Sequence, residues 1–308
     1  RPGPAPWGAG RTIWSMNAER AMKIRKTVKA RRTVKAGKRT QSRKARKATP
    51  AGSVVALSNE QVTRVLKLLK GANSVELKFV VPATGHRATI AGIGLDPVEA
   101  QPRQAFFFDT PGLDLNKTGL IVRARRIPGG RADTVVKLRP VDPATIDPGL
   151  RRSGSFKVEL DAMPGGFVCS ASLKGTCTAQ EVLDVTTGST PLRSLFSKEQ
   201  LAFYDAHAPA GIGMDSLVTL GPTFLLKAKH NPKNFDRRVI VEMWLYPDGS
   251  RILEVSTKSL PEEGFQVAAA FKAYLTESGI TLTVSRETKT KAAMEFFARS
   301  LKAERVTR

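Results

Sequence analysis

The sequence predicts an α+β protein, a body of two-faced strands flanked by helices and preceded by a basic tail. Three observations carry this. Strand-like segments recur between residues 74 and 259, each with one apolar and one ionic face. Helical periodicity falls before, between and after those segments. The net charge of +23 is concentrated at the start, where residues 1–50 hold 16 Lys and Arg against Glu19 alone and so supply +15.

A chain of 308 residues accommodates one large or two ordinary domains, and 41% hydrophobic content can bury a core. No apolar run approaches the ~18 residues a membrane helix needs. The tail, which repeats TVKA at Thr27 and Thr33, has little apolar surface to bury, so residues 1–52 are expected to be disordered. Its charge is suited to non-specific contact with nucleic acid or polyphosphate through residues 20–47, or to keeping the chain soluble. Arg1 stands first and Met16 is the first methionine, so the natural start is left open. Cys169 and Cys177 form no CxxC pair, which favours free thiols in a cytoplasmic protein over a disulfide or zinc framework. His86, His207 and His230 lack HExxH spacing, and neither a GxSxG elbow nor a GxxxxGK[ST] loop occurs. Nucleophilic, zinc and P-loop chemistry are thereby disfavoured.

Ser58 stands before NEQVTRVLKLLKG as an N-cap, with Gly71 as the stop of that helix. SVELKFVV, residues 74–81, reads as the first strand. Further strands are expected near 104–109, 119–127 and 133–139, the last two turned back on each other at Pro128-Gly129-Gly130. SGSFKVELDA supplies another, and residues 162–215 read as a mixed connection with a helix at SKEQLAFYDAH. TFLLKAKH, RRVIVEMWLY and RILEVSTKS form a second strand region, with Pro247-Asp248-Gly249 joining the last two. Helices near 261–277 and 288–304 close the chain.

Parity sorts the strand side chains. Glu76 and Lys78 oppose Val75, Leu77 and Phe79; Arg123 and Arg125 oppose Val122 and Ala124; Lys137 and Arg139 oppose Val136 and Leu138. Lys157, Glu159 and Asp161 oppose Phe156, Val158 and Leu160, while Lys227 and Lys229 oppose Leu226 and Ala228. Arg238 and Glu242 share a face, as Glu254 does against Leu253 and Val255. One solvated face is the ordinary state of an antiparallel sheet, yet these ionic faces hold almost no Thr, Ser or Gln. Pairing the first hairpin about residue 131 would also set Arg123 against Arg139 and Arg125 against Lys137. A three-residue Pro-Asp-Gly loop would set Glu242 against Glu254. Like charges placed opposite each other destabilise a sheet unless something binds between them. A multiply charged anion suits the basic set, and a hard divalent cation suits the carboxylates.

The residues then resemble a known family, the CYTH domain of the triphosphate tunnel metalloenzymes. The family's ExExK opening is met by Ser74-x-Glu76-x-Lys78, and FFFDTPGLDLNKTGLIVRARR is similar to its YFDTP…L…G…LRVR block. TVVKLR, FKVELD, the closing strands with Arg238, Glu242 and Glu254, and ETKTKAAMEFF continue the likeness over about residues 58–304. The resemblance implies one domain over 53–308, an antiparallel closed β-barrel whose ionic interior forms a tunnel for a triphosphate. It implies Arg123, Arg125, Lys137, Arg139, Lys227 and Arg238 as substrate-binding residues. Glu76, Lys78 and Glu159 are the implied catalytic residues, with Glu76, Glu159, Asp161, Glu242 and Glu254 as ligands for Mg²⁺ or Mn²⁺. Ser74 stands in place of the first glutamate, and Ser256 where the family often has a second carboxylate. The expected activity is metal-dependent hydrolysis of an inorganic or organic triphosphate, thiamine triphosphate being one such substrate. The alternatives are a non-catalytic polyphosphate-binding module and a class IV-type adenylyl cyclase. No membrane partner is expected, and the sequence leaves oligomeric state open.

Overall fold

A computed structural model describes residues 58–280 and 289–306. The basic tail, residues 1–52, lies outside the described residues.

Helix α1 (Asn59–Lys70) starts at Ser58, whose side chain accepts from the Gln61 amide while Gln61 returns a bond to the Ser58 amide. β1 (Ser74–Val81) follows, then α2 (His86–Gly92), β2 (Gln101–Asp109), α3 (Asp114–Thr118), β3 (Leu120–Ile127) and β4 (Arg131–Leu138). α4 (Pro148–Arg151) leads to β5 (Phe156–Met163) and β6 (Gly166–Thr178), then α5 (Ala179–Thr186) and α6 (Lys198–Asp205). β7 (Val218–His230), β8 (Val239–Leu245) and β9 (Arg251–Ser259) complete the strands, and α7 (Gly264–Glu277) and α8 (Lys289–Val306) close the chain.

The nine strands form a closed barrel in the order β1-β5-β6-β4-β3-β2-β7-β8-β9, with β9 returning to β1. The expected barrel is therefore present, but it is not antiparallel throughout, since β1 and β5 run parallel. The reason is arithmetic: strands cannot alternate direction around a closed ring of odd number. The expected mixed connection over 162–215 also contains β6, a 13-residue strand paired with both β4 and β5. Its small side chains, GFVCSASLKGTCT, carry little of the β-branched and aromatic signal that marks a strand.

This barrel is apolar outside and ionic within. Val75, Leu77 and Val81 of β1 pack with Val239, Val241, Leu253 and Val255 beneath Val267, Phe271, Tyr274 and Leu275 of α7. On the opposite wall Phe106, Phe108, Val122, Val136, Val158 and Leu173 lie beneath α5 and α6 through Val182, Phe203 and Tyr204. On these two walls the helices keep the outer side dry, while Phe224, Leu226 and Leu245 outside β7 and β8 stay exposed, and alternation leaves the polar positions facing inward.

The inward positions change character along the barrel. On β3, β7 and β8, register pairs Arg123 with Phe107, Leu225 with Trp244, and Lys227 with Glu242, all sharing the inner side. Towards one end these positions become apolar. Phe107, Leu225 and Trp244 there pack with Ala293 and Met294 of α8, flanked by Ile121, Ile252, Phe297 and Leu301.

Hairpin register decides which charges meet. Gly129 and Gly130 both take positive φ, 83° and 77°, in a tight turn that pairs Ile127 with Arg131. Arg125 therefore faces Asp133 and Arg123 faces Val135, rather than Lys137 and Arg139 as expected. In the β8–β9 hairpin Glu242 does face Glu254.

Candidate functional site

Two charged groups line the interior. The first is built where β1, β5 and β9 adjoin. Parallel register sets Ser74 beside Glu159 and Glu76 beside Asp161, while antiparallel register sets Lys258 across from Glu76 and Ser256 across from Lys78. Glu76, Glu159 and Asp161 each offer an oxygen, and these oxygens lie within 4.8 Å of one another.

One buried and two partly buried carboxylates this close need compensating charge. Lys78 lies 2.8 Å from Glu76 and 2.8 Å from Asp161. Asp161, fully buried, also has Arg139 at 3.4 Å and Lys137 at 3.8 Å. Lys258 pairs with Glu159, and the Ser74 hydroxyl donates to the same carboxylate at 3.2 Å. Burial alone would lower the Lys78 ammonium, but Asp161 and Glu76 hold it well above its ordinary value. Burial would likewise raise Asp161, yet Lys78, Lys137 and Arg139 hold it well below the usual carboxylate range. For Lys137 burial wins over the attraction of Asp161 and pushes the ammonium down to about 8.

The second group holds Arg103, Arg123, Arg125, Asp133, Lys227 and Glu242. Arg125 grips Asp133 through two bonds of 2.9 and 2.8 Å. Lys227 donates to Glu242 at 2.8 Å, and the Trp244 indole donates to its other oxygen at 3.3 Å. Arg123 has no carboxylate contact among the described residues, and its buried Nε lacks a hydrogen-bond partner. Burial, reinforced by Arg125, pushes this guanidinium down to about 9. Lys174 of β6 is lowered by burial and then by Lys258, with Arg125 and Arg123 adding to the effect.

Of the residues expected from sequence, Glu76, Lys78, Lys137, Arg139, Glu159 and Asp161 come together in the first group. Arg123, Arg125, Lys227 and Glu242 come together in the second. Glu254 sits across from Glu242 and contributes to the field that raises Lys78, outside the carboxylate triad. Arg238 is not brought to either group; it is exposed ahead of β8, where its Nε donates to Asn231 at 3.3 Å. Four interior residues escaped the sequence reading. Lys258 was accessible by parity from Glu254 and Ser256. Arg103 lies just before the expected start of β2, Asp133 depends on hairpin register, and Lys174 belongs to the missed strand.

The first group fits a hard divalent cation by donor chemistry, with carboxylate oxygens at close mutual spacing. The second, four basic groups against Asp133 and Glu242 with one guanidinium out of carboxylate contact among the described residues, fits a multiply charged anion.

No family model and no curated protein matches the sequence. Solved structures do match the fold. One is a putative adenylyl cyclase from Hippeastrum described as having a dominant triphosphatase activity, at 16% identity, TM-score 0.51, over 71% of this chain and 93% of that one. Another is a putative adenylate cyclase from Bacillus halodurans, at 15% identity, TM-score 0.50, over 71% of this chain and 98% of that one. With its nine strands closed around an ionic interior, the chain has a CYTH-like tunnel fold.

Proposed function

We propose that the protein hydrolyses the terminal phosphate of an inorganic or organic triphosphate in the tunnel, with Mg²⁺ or Mn²⁺ as cofactor. The observation that carries this reading is Arg123, an inward guanidinium with no carboxylate contact among the described residues, which feels Arg125 and Arg103 as well as the more distant Asp133 and Glu242. A largely desolvated cation with no carboxylate in direct contact is costly to folding, and a ligand that supplies the charge would offset that cost.

Arg123, Arg125, Lys137, Arg139 and Lys227 would hold the phosphate oxygens. Glu76, Glu159 and Asp161 would hold the divalent ion, which when bound supplies charge neutralisation and acidifies a water. Lys78, fixed between Glu76 and Asp161, keeps those two carboxylates in register. The water oxygen forms a bond to the terminal phosphorus as the bond to the bridging oxygen breaks. The guanidinium and ammonium groups stabilise charge gathering on the departing diphosphate.

Phosphate release from tripolyphosphate, ATP and thiamine triphosphate, measured with Mg²⁺ and with Mn²⁺, tests this. Arg125→Ala is expected to weaken all three substrates, and Glu159→Ala mainly to reduce the metal response. No release from any substrate, with binding retained, would favour a non-catalytic polyphosphate module. That second reading draws on Ser74 and Ser256 and on lysines already paired with all three triad carboxylates. Cyclic AMP should be measured alongside, because the Hippeastrum relative carries a cyclase name.

The basic residues 20–47 would act separately, as a tether to nucleic acid or polyphosphate. Among the described residues no helix is long and apolar enough to cross a membrane. Free Cys169 and Cys177 accord with a reducing, cytoplasmic setting.

A further inference from the structure

The carboxylate triad is served by two lysines of different kinds. Lys78 is 13% exposed and held by Glu76 and Asp161 together. Lys258 is 49% exposed and, among the described residues, contacts Glu159, with Glu76 attracting it from further off. Its backbone lies across from Glu76 on β9, so its side chain reaches along the interior to the far carboxylate of the triad.

Ser74 makes room for this. Register places residue 74 beside Glu159, and the serine hydroxyl donates to that carboxylate instead of repelling it. A carboxylate at position 74 would add a fourth negative charge to the group. With serine there, Glu159 is compensated by one ammonium and one hydroxyl without any divalent ion.

We propose that Lys258 is a resident cation of the triad, competing with the divalent ion for Glu159. The substrate-free tunnel then holds that ion weakly, and the ion enters as a complex with the polyphosphate. Lys258 can leave because half of its side chain is exposed and a single carboxylate contacts it directly, whereas Lys78 is 13% exposed and contacts two. An incoming polyanion offers the displaced ammonium a new counter-charge. The inference rests on reading Glu76, Glu159 and Asp161 as a divalent-ion site.

Titration of the full chain with Mn²⁺ alone, following free Mn²⁺ by electron paramagnetic resonance, reads the competition without turnover. Divalent-ion affinity depends on the net charge of the ligand set, so Lys258→Met and Lys258→Gln are each expected to tighten Mn²⁺ by about tenfold or more. Lys258→Arg keeps the charge and is expected to match wild type, and thermal melting confirms that all variants are folded. Equal or weaker Mn²⁺ binding by both neutral variants would overturn the proposal, as would no Mn²⁺ binding in any variant. Tightened Mn²⁺ without phosphate release from any triphosphate would support the resident cation and sink hydrolysis.

Discussion

Arg123 and Arg125 stand two residues apart on β3, face the same interior and meet different partners. Arg125 has both oxygens of Asp133, whereas Arg123 has no carboxylate contact among the described residues. Folding therefore bears more of the cost of burying the Arg123 charge, because Asp133 acts on it only at a distance while bonding Arg125 directly. The sign with pH follows. Burial, with Arg125 beside it, holds the folded-state value below the ordinary guanidinium value, so the unfolded chain binds the proton more tightly. The cost is fully present below about pH 9 and fades only as pH rises above it. At pH 7, Arg123→Met is expected to melt at or above the wild-type temperature while losing about tenfold or more in tripolyphosphate affinity by calorimetry. A lower melting temperature with unchanged affinity would make Arg123 a structural residue. Parity along one strand was enough to place both arginines in the sequence. It could not give Asp133 to Arg125, because that pairing depends on how many residues the Pro128-Gly129-Gly130 turn consumes.

Strands with bulky apolar faces were legible, and β1 and β9 have the bounds that alternation predicts, 74–81 and 251–259. β6 was not, because its inward Ser170, Ser172 and Thr176 and outward Ala171 and Gly175 lack contrast. Its identity comes from its neighbours: a Cβ at Gly175 would meet Gln200 Oε1 at 2.5 Å and Thr134 Oγ1 at 2.6 Å. The join between α3 and β3 ties an element boundary to the site. Gly119 takes φ +82°, its carbonyl accepts from the Arg139 amide at 2.9 Å, and a Cβ there would meet the Arg139 carbonyl at 2.2 Å. Gly119→Ala must therefore move the backbone that carries Arg139 towards Asp161. A destabilisation of about 1–3 kcal/mol is expected in urea unfolding, together with weaker tripolyphosphate binding. Lost stability with unchanged affinity would show that Arg139 is dispensable for the anion.

Around the whole barrel, five strands share one gradient. Going towards α8, inward positions pass from Arg103 to Phe107 on β2, Arg123 to Ile121 on β3 and Lys227 to Leu225 on β7. They pass from Glu242 to Trp244 on β8 and from Glu254 to Ile252 on β9. The ionic interior thus ends against an apolar cluster closed by Ala293 and Met294. An anion can be stabilised only at the ionic end, because moving a phosphate towards Phe107 and Trp244 would strip its hydration without offering donors. A linear triphosphate entering from the end away from α8 would fit when its leading end is a bare phosphate. A triphosphate carrying a nucleoside at each end must push one nucleoside inward past the charged groups. In competition with tripolyphosphate, a dinucleoside triphosphate is expected to bind at least about tenfold more weakly than the mononucleoside triphosphate. Equal competition by the two would mean that the interior is open at both ends, and that α8 does not set the direction from which the substrate enters.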